Sequence, residues 1–195
     1  MPYSSMKSLS MVKNSYKLKV KKDKLFFDIK SIEISDWLKE SLKRANHSIL
    51  FSEKAKSEAI IMPILLELQE RNLDCLKVFS GVRLDIDESQ NLNGECDFIL
   101  AKDGIVDIIE KPLISIIEAK KGDIDLGLAQ CSAQMVGARE YNKQEQIKIA
   151  IYGVVTNSKE WQFMKLDNDL LIIDSDTYHL KEIEKLLGVF QSIIN

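Results

Sequence analysis

Three charged side chains in the middle of the chain have the types and spacing that phosphodiester hydrolysis needs. The segment GECDFIL carries Asp97, and after a turn PLISIIEAKK carries Glu118 and Lys120 at the end of an apolar run. Two carboxylates that share one ion supply the hard oxygen ligands that Mg²⁺ takes, leaving places for water. An ion held there polarises a phosphate and lowers the pKa of bound water. A lysine beside the pair can steady the attacking hydroxide or the charge building on the phosphoryl oxygens. An E-x-K triplet by itself carries little information in a chain that is 29% charged, and charges at strand ends are ordinarily just solvated. Context raises the signal: an aspartate embedded as CDFIL needs a partner if it is to be buried.

Strands must position these groups. ECDFILA (95–101) reads as one strand, KDG as a turn, and PLISIIEAK (112–120) as a strand apolar on both faces, hence central in its sheet. Alternation puts Glu118 and Lys120 on one side, following Ile114 and Ile116. Cross-strand neighbours approach to about 5 Å, which brings Asp97 within reach of Glu118.

Helices and further strands surround this pair. Ser52 is an N-cap for a helix running to about Asn72, with Ile60, Ile61, Ile64, Leu65 and Leu68 as its buried stripe and Pro63 as an expected kink or break. LKVFSGVRLDID (76–87) reads as a long or bulged strand with Gly81 at the bulge. A helix is expected from about Leu126, an apolar strand over 147–156, and a hairpin of WQFMKL and LLIID around DND. The chain ends on an amphipathic helix bearing Leu180, Ile183, Leu186, Leu187 and Phe190. Upstream, residues 1–15 are expected to fray, YKLKV and LFFDI to form a hairpin over 16–29, and Ser35 to cap a helix with Trp37, Leu38 and Leu42 on one face.

Composition sets outer limits. The chain has 195 residues and a 45% apolar fraction, enough for one globular domain. No apolar run approaches the ~20 residues of a membrane span, and the first residues lack a signal peptide's apolar stretch, so the expectation is a cytoplasmic protein with no membrane partner. Three cysteines without a CxxC pair support neither a disulfide framework nor a zinc knuckle; Cys96 and Cys131 read as buried thiols. The net charge of −3 argues against a broad electrostatic grip on nucleic acid. Between Lys7 and Lys24, however, seven lysines stand against one acid, Asp23, which makes either a phosphate-binding arm or a solvated hairpin.

Asp97 in ECDFIL and Glu118-Ala119-Lys120 in IIEAKK resemble the motif of the PD-(D/E)xK nuclease superfamily, over roughly residues 52–156. Cys96 stands where the nominal pattern has proline. The resemblance implies an α/β domain with a restriction-endonuclease-like mixed sheet of about four core strands flanked by helices, spanning 1–195 with a C-terminal hairpin and helix over 157–195. It implies a nuclease requiring Mg²⁺ or Mn²⁺ and acting on nucleic acid, DNA in the first instance. Asp97 and Glu118 would be metal ligands, with the Ala119 carbonyl a further one, and Lys120 the catalytic lysine. The family also supplies a glutamate from the first core helix, here Glu53 or Glu58, with Glu53 nearer the centre of the apolar stripe. Gln130 and Gln134, on a helix similar to the family's glutamine-bearing one, and Lys121 would contact phosphate or support the site. The alternative is a non-catalytic nucleic-acid-binding or assembly module on the same fold. A homodimer is left open.

Overall fold

The computed structural model describes residues 2–102, 112–120, 122 and 124–195. Serine caps set the first helix starts. Ser8 accepts the Met11 amide at the head of α1 (Leu9–Ser15), Ser35 accepts that of Leu38 at α2 (Asp36–Asn46), and Ser52 accepts that of Ala55 at α3 (Glu53–Lys56). Each cap satisfies an amide that the first turn leaves unpaired. From α3 the chain continues through a π-helical turn (Ser57–Ile61) into α4 (Met62–Arg71). The Met62 N–H bonds back five residues to the Ser57 carbonyl, and the next residue, Pro63, has no N–H to donate. The widened turn is the interruption that Pro63 imposes on an otherwise continuous helical run.

Among the described residues seven strands form one mixed sheet in the order β1-β7-β6-β5-β4-β3-β2. They are β1 (Lys19–Asp23), β2 (Lys77–Arg83), β3 (Glu95–Ala101), β4 (Leu113–Ala119), β5 (Ile151–Thr156), β6 (Glu160–Asp167) and β7 (Leu170–His179). β4 and β5 run parallel and are joined through α5 (Ile124–Lys143), and β1 runs parallel to β7; the other neighbours are antiparallel. Every residue of β4 is buried, as its two apolar faces require of an interior strand.

Helices cover both faces. On one side α2, the π turn, α4 and α6 (Ile183–Ile194) bury Leu38, Ile60, Ile61, Ile64, Leu65, Leu68, Leu186, Leu187 and Phe190 against Phe98, Ile117, Val154 and Phe163. On the other, α5 and α1 bury Val12, Cys131, Met135 and Val136 against Cys96, Ile99, Ile116 and Val155. Among the described residues no helix is long and apolar enough to cross a membrane.

Several expectations give way. The hairpin over 16–29 does not form: β1 pairs with β7, from Lys19 opposite Leu170 to Asp23 opposite Asp174. The LFFDI stretch leaves the sheet because Phe26 is better buried among Phe163, Tyr152 and Tyr178, while the Leu25 amide donates to the buried Asp174 carboxylate. Of the segment 1–15 expected to fray, residues 2–15 are ordered: a 3-10 turn and α1 help bury Tyr3, Met6 and Val12, and the Tyr3 hydroxyl donates to the Leu84 carbonyl at 2.8 Å. Gly81 adds no extra residue, since Ser80 faces Phe98 and Val82 faces Cys96 in unbroken register; instead Gly81 bends the strand locally with φ +63°, a conformation glycine takes without a Cβ clash. Trp37 is half exposed, because adjacent helical positions point about 100° apart and Leu38 takes the inward one. α5 starts at Ile124, two residues early, and β5 begins only at Ile151. The KDG turn falls largely outside the described residues.

Candidate active site

β3 and β4 place the two central acids. Their last paired residues at this end are Phe98 and Ile117, and one further step in that register sets Asp97 opposite Glu118. The Asp97 side chain takes over there, with Oδ2 accepting the Ala119 amide at 2.7 Å. The site therefore opens at the carboxyl end of β4, beside its parallel neighbour β5.

Glu118 and Lys120 both turn toward α5, as alternation requires. Lys120 Nζ donates to Glu118 Oε1 at 2.5 Å and to Gln130 Oε1 at 3.2 Å. Gln134 Nε2 donates to Glu118 Oε2 at 2.9 Å and to the Glu95 carbonyl at 3.3 Å. Gln130 and Gln134 lie one helical turn apart on α5 and so reach one spot. α5 can come this close because of Gly127: a Cβ there would run into Val155 and reach 3.0 Å from Lys120 Cγ. Ile116 lies on the Glu118 side, but Ile114 does not; a register shift at Leu100/Ala101 leaves Ile114 between paired positions and turns it into the opposite core.

Burial dominates the electrostatics. Glu118 is almost wholly buried, and its carboxyl is pushed up to about 7, by loss of solvent first and by the Asp97 charge second, with Lys120 and Gln134 pulling the other way. Asp97 is also raised, mainly by burial, and further by Glu53 and Glu95, while the Ala119 amide and Lys120 lower it. Burial works against charge on Lys120, but Glu118, Asp97 and Glu53 outweigh it and raise its pKa. Lys120 is therefore a cation at neutral pH.

A cleft of about 620 Å³ opens on the other side of the pair, lined by Glu53, Glu58, Glu95, Asp97 and Ala119, with Phe51 at its wall. Glu53, the first residue of α3, acts by its charge on both Asp97 and Lys120. Glu58 lines the same cleft as an exposed partner of Lys54 at 3.9 Å. Glu118, Lys120, Gln130 and Gln134 form their own bonded chain behind the cleft, and Lys121 lies outside the described residues. Sequence reasoning overlooked Glu95; its position two residues before Asp97 in ECDFIL was the available signal. Cys96 and Cys131 are buried free thiols, pushed up by burial and then by the Glu118 charge. The lysine-rich segment is no free arm: its β1 portion is an edge strand, where Lys21 pairs with Asp23 at 2.8 Å, and just after it Lys24 pairs with Asp176 at 3.6 Å.

Among the described residues no group of three or more His, Cys, Asp or Glu side chains is drawn together as a metal cage. No protein-family model matches the chain, and no curated protein matches it in sequence.

Proposed function

We propose that this chain is a metal-dependent nuclease that hydrolyses nucleic-acid phosphodiester bonds, DNA in the first instance, on a restriction-endonuclease-like fold of PD-(D/E)xK type. The observation that carries the reading is the buried Glu118 carboxylate, bonded to Lys120 two residues on and charge-coupled to Asp97 on the neighbouring strand.

The donor chemistry fits Mg²⁺ or Mn²⁺. Asp97, Glu118 and the Ala119 carbonyl are hard oxygen donors, and Mg²⁺ characteristically takes only one or two carboxylates and completes its shell with water and phosphate. The acids carry like charges in a buried place, a cost that a cation relieves. Gln134 Oε1 is buried with no hydrogen-bond partner among the described residues, an acceptor left over for a water or hydroxyl of the bound state. Asp97, Glu118, Ala119 and, from the helix, Glu53 would hold the ion; Glu58, paired with Lys54, is the less suited glutamate. When bound, the ion supplies Lewis-acid activation of the phosphate and of water.

The chain's own residues do the rest. Lys120 stays protonated, so it offers positive charge to phosphoryl oxygens and does not accept a proton. Gln130 aims the Lys120 ammonium, and Gln134 fixes the Glu118 carboxylate. Glu118 Oε1 accepts one hydrogen bond from Lys120 and keeps a second lone pair for an ion, while the ammonium has further N–H donors for substrate.

One observation favours the non-catalytic binding or assembly module: both Glu118 oxygens are already engaged within the protein, one by Lys120 and one by Gln134. Cleavage of plasmid and single-stranded DNA in Mg²⁺ or Mn²⁺ separates the two. The nuclease reading expects metal-dependent, chelator-sensitive cleavage that Asp97→Asn abolishes. Cleavage equal in wild type and Asp97→Asn, or none at all, leaves the binding module.

A further inference from the structure

We propose that a second groove, beside Lys159 and Lys181, holds the phosphate backbone of the same nucleic acid a few nucleotides from the bond that is cut; this rests on the nuclease reading and adds a binding site beyond the Asp97 cleft. The groove encloses about 700 Å³, with Leu42, Ile60 and Leu180 as its apolar lining. Its charged lining is Lys159 and Lys181, with the His179 imidazole, against one acid, Glu160. Ser57 and Glu58 of the π-helical turn line the Asp97 cleft, and Ile60 of the same turn lines this groove, so the two openings adjoin.

The fold fixes these lysines relative to the site. The Lys120 amide donates to the Thr156 carbonyl at 2.7 Å, and the turn into β6 begins at the next residue. Asn157 Oδ1 accepts the amides of Lys159 and Glu160 at 3.0 and 2.9 Å, so the turn is held by its own side chain. The Leu180 amide donates to the Lys159 carbonyl at 2.8 Å, which sets Lys159 and Lys181 at the ends of neighbouring strands. β6 and β7 stand two and three places from β4 in the sheet. At about 4.8 Å per strand that is roughly 10–14 Å from Glu118, which a chain rising about 3.4 Å per nucleotide covers in roughly three to four nucleotides.

Charge assigns the groove to phosphate. The Asp97 cleft is lined by four acids, Glu53, Glu58, Glu95 and Asp97, against one described cation, Lys54, so an anionic backbone needs an anchor outside it. The neighbouring basic residues of α2 and α3 are paired, Arg44 with Glu40 at 3.0 Å and Lys54 with Glu58 at 3.9 Å. Lys159 and Lys181 are exposed, and among the described residues neither ammonium has a partner. The Glu160 carboxylate accepts from Asn157 Nδ2 at 3.2 Å. Ammonium contacts to phosphate release counterions and read no base, so this anchor serves a single strand and a duplex alike.

Binding is measured by fluorescence anisotropy in Ca²⁺ over a range of KCl concentrations, on a single-stranded oligonucleotide and on its blunt duplex, with cleavage of both followed in Mn²⁺. The proteins are wild type, the double variant Lys159→Ala/Lys181→Ala, its counterpart Lys159→Arg/Lys181→Arg, and Lys148→Ala, an exposed lysine before the opposite end of β5. The alanine pair should lower the log–log salt slope by about 1.8 on duplex and about 1.4 on the single strand, and weaken binding at least about tenfold in dilute salt. The arginine pair and Lys148→Ala should keep the wild-type slope. Because the substituted lysines are exposed, all variants should melt with wild type. An unchanged slope in the alanine pair, or an equal loss in Lys148→Ala, overturns the groove while wild-type cleavage keeps the nuclease reading. Inorganic phosphate that raises the melting temperature of wild type and not of the alanine pair, with their polynucleotide slopes equal, also overturns it, since the groove then takes a small free phosphate. A wild type that neither binds nor cleaves either substrate overturns the nuclease reading itself.

Discussion

Asp97 ends the β3–β4 ladder with its side chain: Oδ2 takes the amide of Ala119, bonding across to the residue beyond Glu118. The carboxylate therefore has two duties, as acceptor for a buried backbone amide and as a charge beside Glu118 and Lys120.

These duties can be separated by mutation. Asp97→Asn keeps an oxygen for the Ala119 amide and removes the charge, so the metal-free protein should be as stable as wild type or more so. Asp97→Ala strands the buried amide and should fall below Asp97→Asn by about 1–3 kcal/mol. Urea melts at pH 7.5 measure both. Equal stability of the two variants would mean that the hydrogen bond contributes nothing.

Glu118 should make stability fall as pH rises. Its folded carboxyl sits at about 7 against an ordinary 4.5, so between those values the folded chain keeps a proton that the unfolded chain has released. Stability from this group is fully present below pH 4.5, is lost through pH 7, and is level above it, a change on the order of 3 kcal/mol. The raised Asp97 adds in the same direction. Urea midpoints at pH 5, 6, 7 and 8 should show the decline, and Glu118→Gln should flatten most of it. A wild-type profile that rises through this window contradicts the buried, coupled pair.

Lys120 should matter to the fold as well as to catalysis. Its side chain is 16% exposed and bonded to Glu118, so Lys120→Ala leaves a buried carboxylate without its counter-charge. At pH 8 the loss should be about 3–5 kcal/mol, shrinking below pH 6 as Glu118 protonates. Adding Glu118→Gln should recover most of it. Single-variant losses that simply add in the double variant would show that the two groups are not coupled.

Much of this arrangement was legible in the sequence where local chemistry decides. Ser35 and Ser52 cap helices as their side chains dictate, and ECDFILA forms a strand over its whole expected length. The apolar faces of PLISIIEAK announced an interior strand. The failures are tertiary. Nothing local tells Lys19–Asp23 to pair with a strand about 150 residues later, or Phe26 to leave a strand for an aromatic cluster. At the site, the E-x-K spacing gave Glu118 and Lys120 one side of β4, and the expected hairpin pairing of β3 with β4 gave Asp97 its neighbour. That Lys120 turns back onto Glu118, and that Gln134 holds the other oxygen, depends on how closely α5 packs at Gly127. No strand periodicity encodes that packing.

The central claim is that Asp97 and Glu118 hold a divalent ion, and the most direct test is a set of thermal melts with and without Mn²⁺ for wild type, Asp97→Asn and Glu118→Gln. Ion binding to the folded state alone stabilises by mass action, ~2.7 kcal/mol at a hundredfold excess over the dissociation constant. Wild type should gain on that scale, and each variant should lose most of the gain while folding normally without metal. If all three proteins respond to Mn²⁺ identically, these carboxylates do not form a metal site, and the non-catalytic module becomes the better account of the chain.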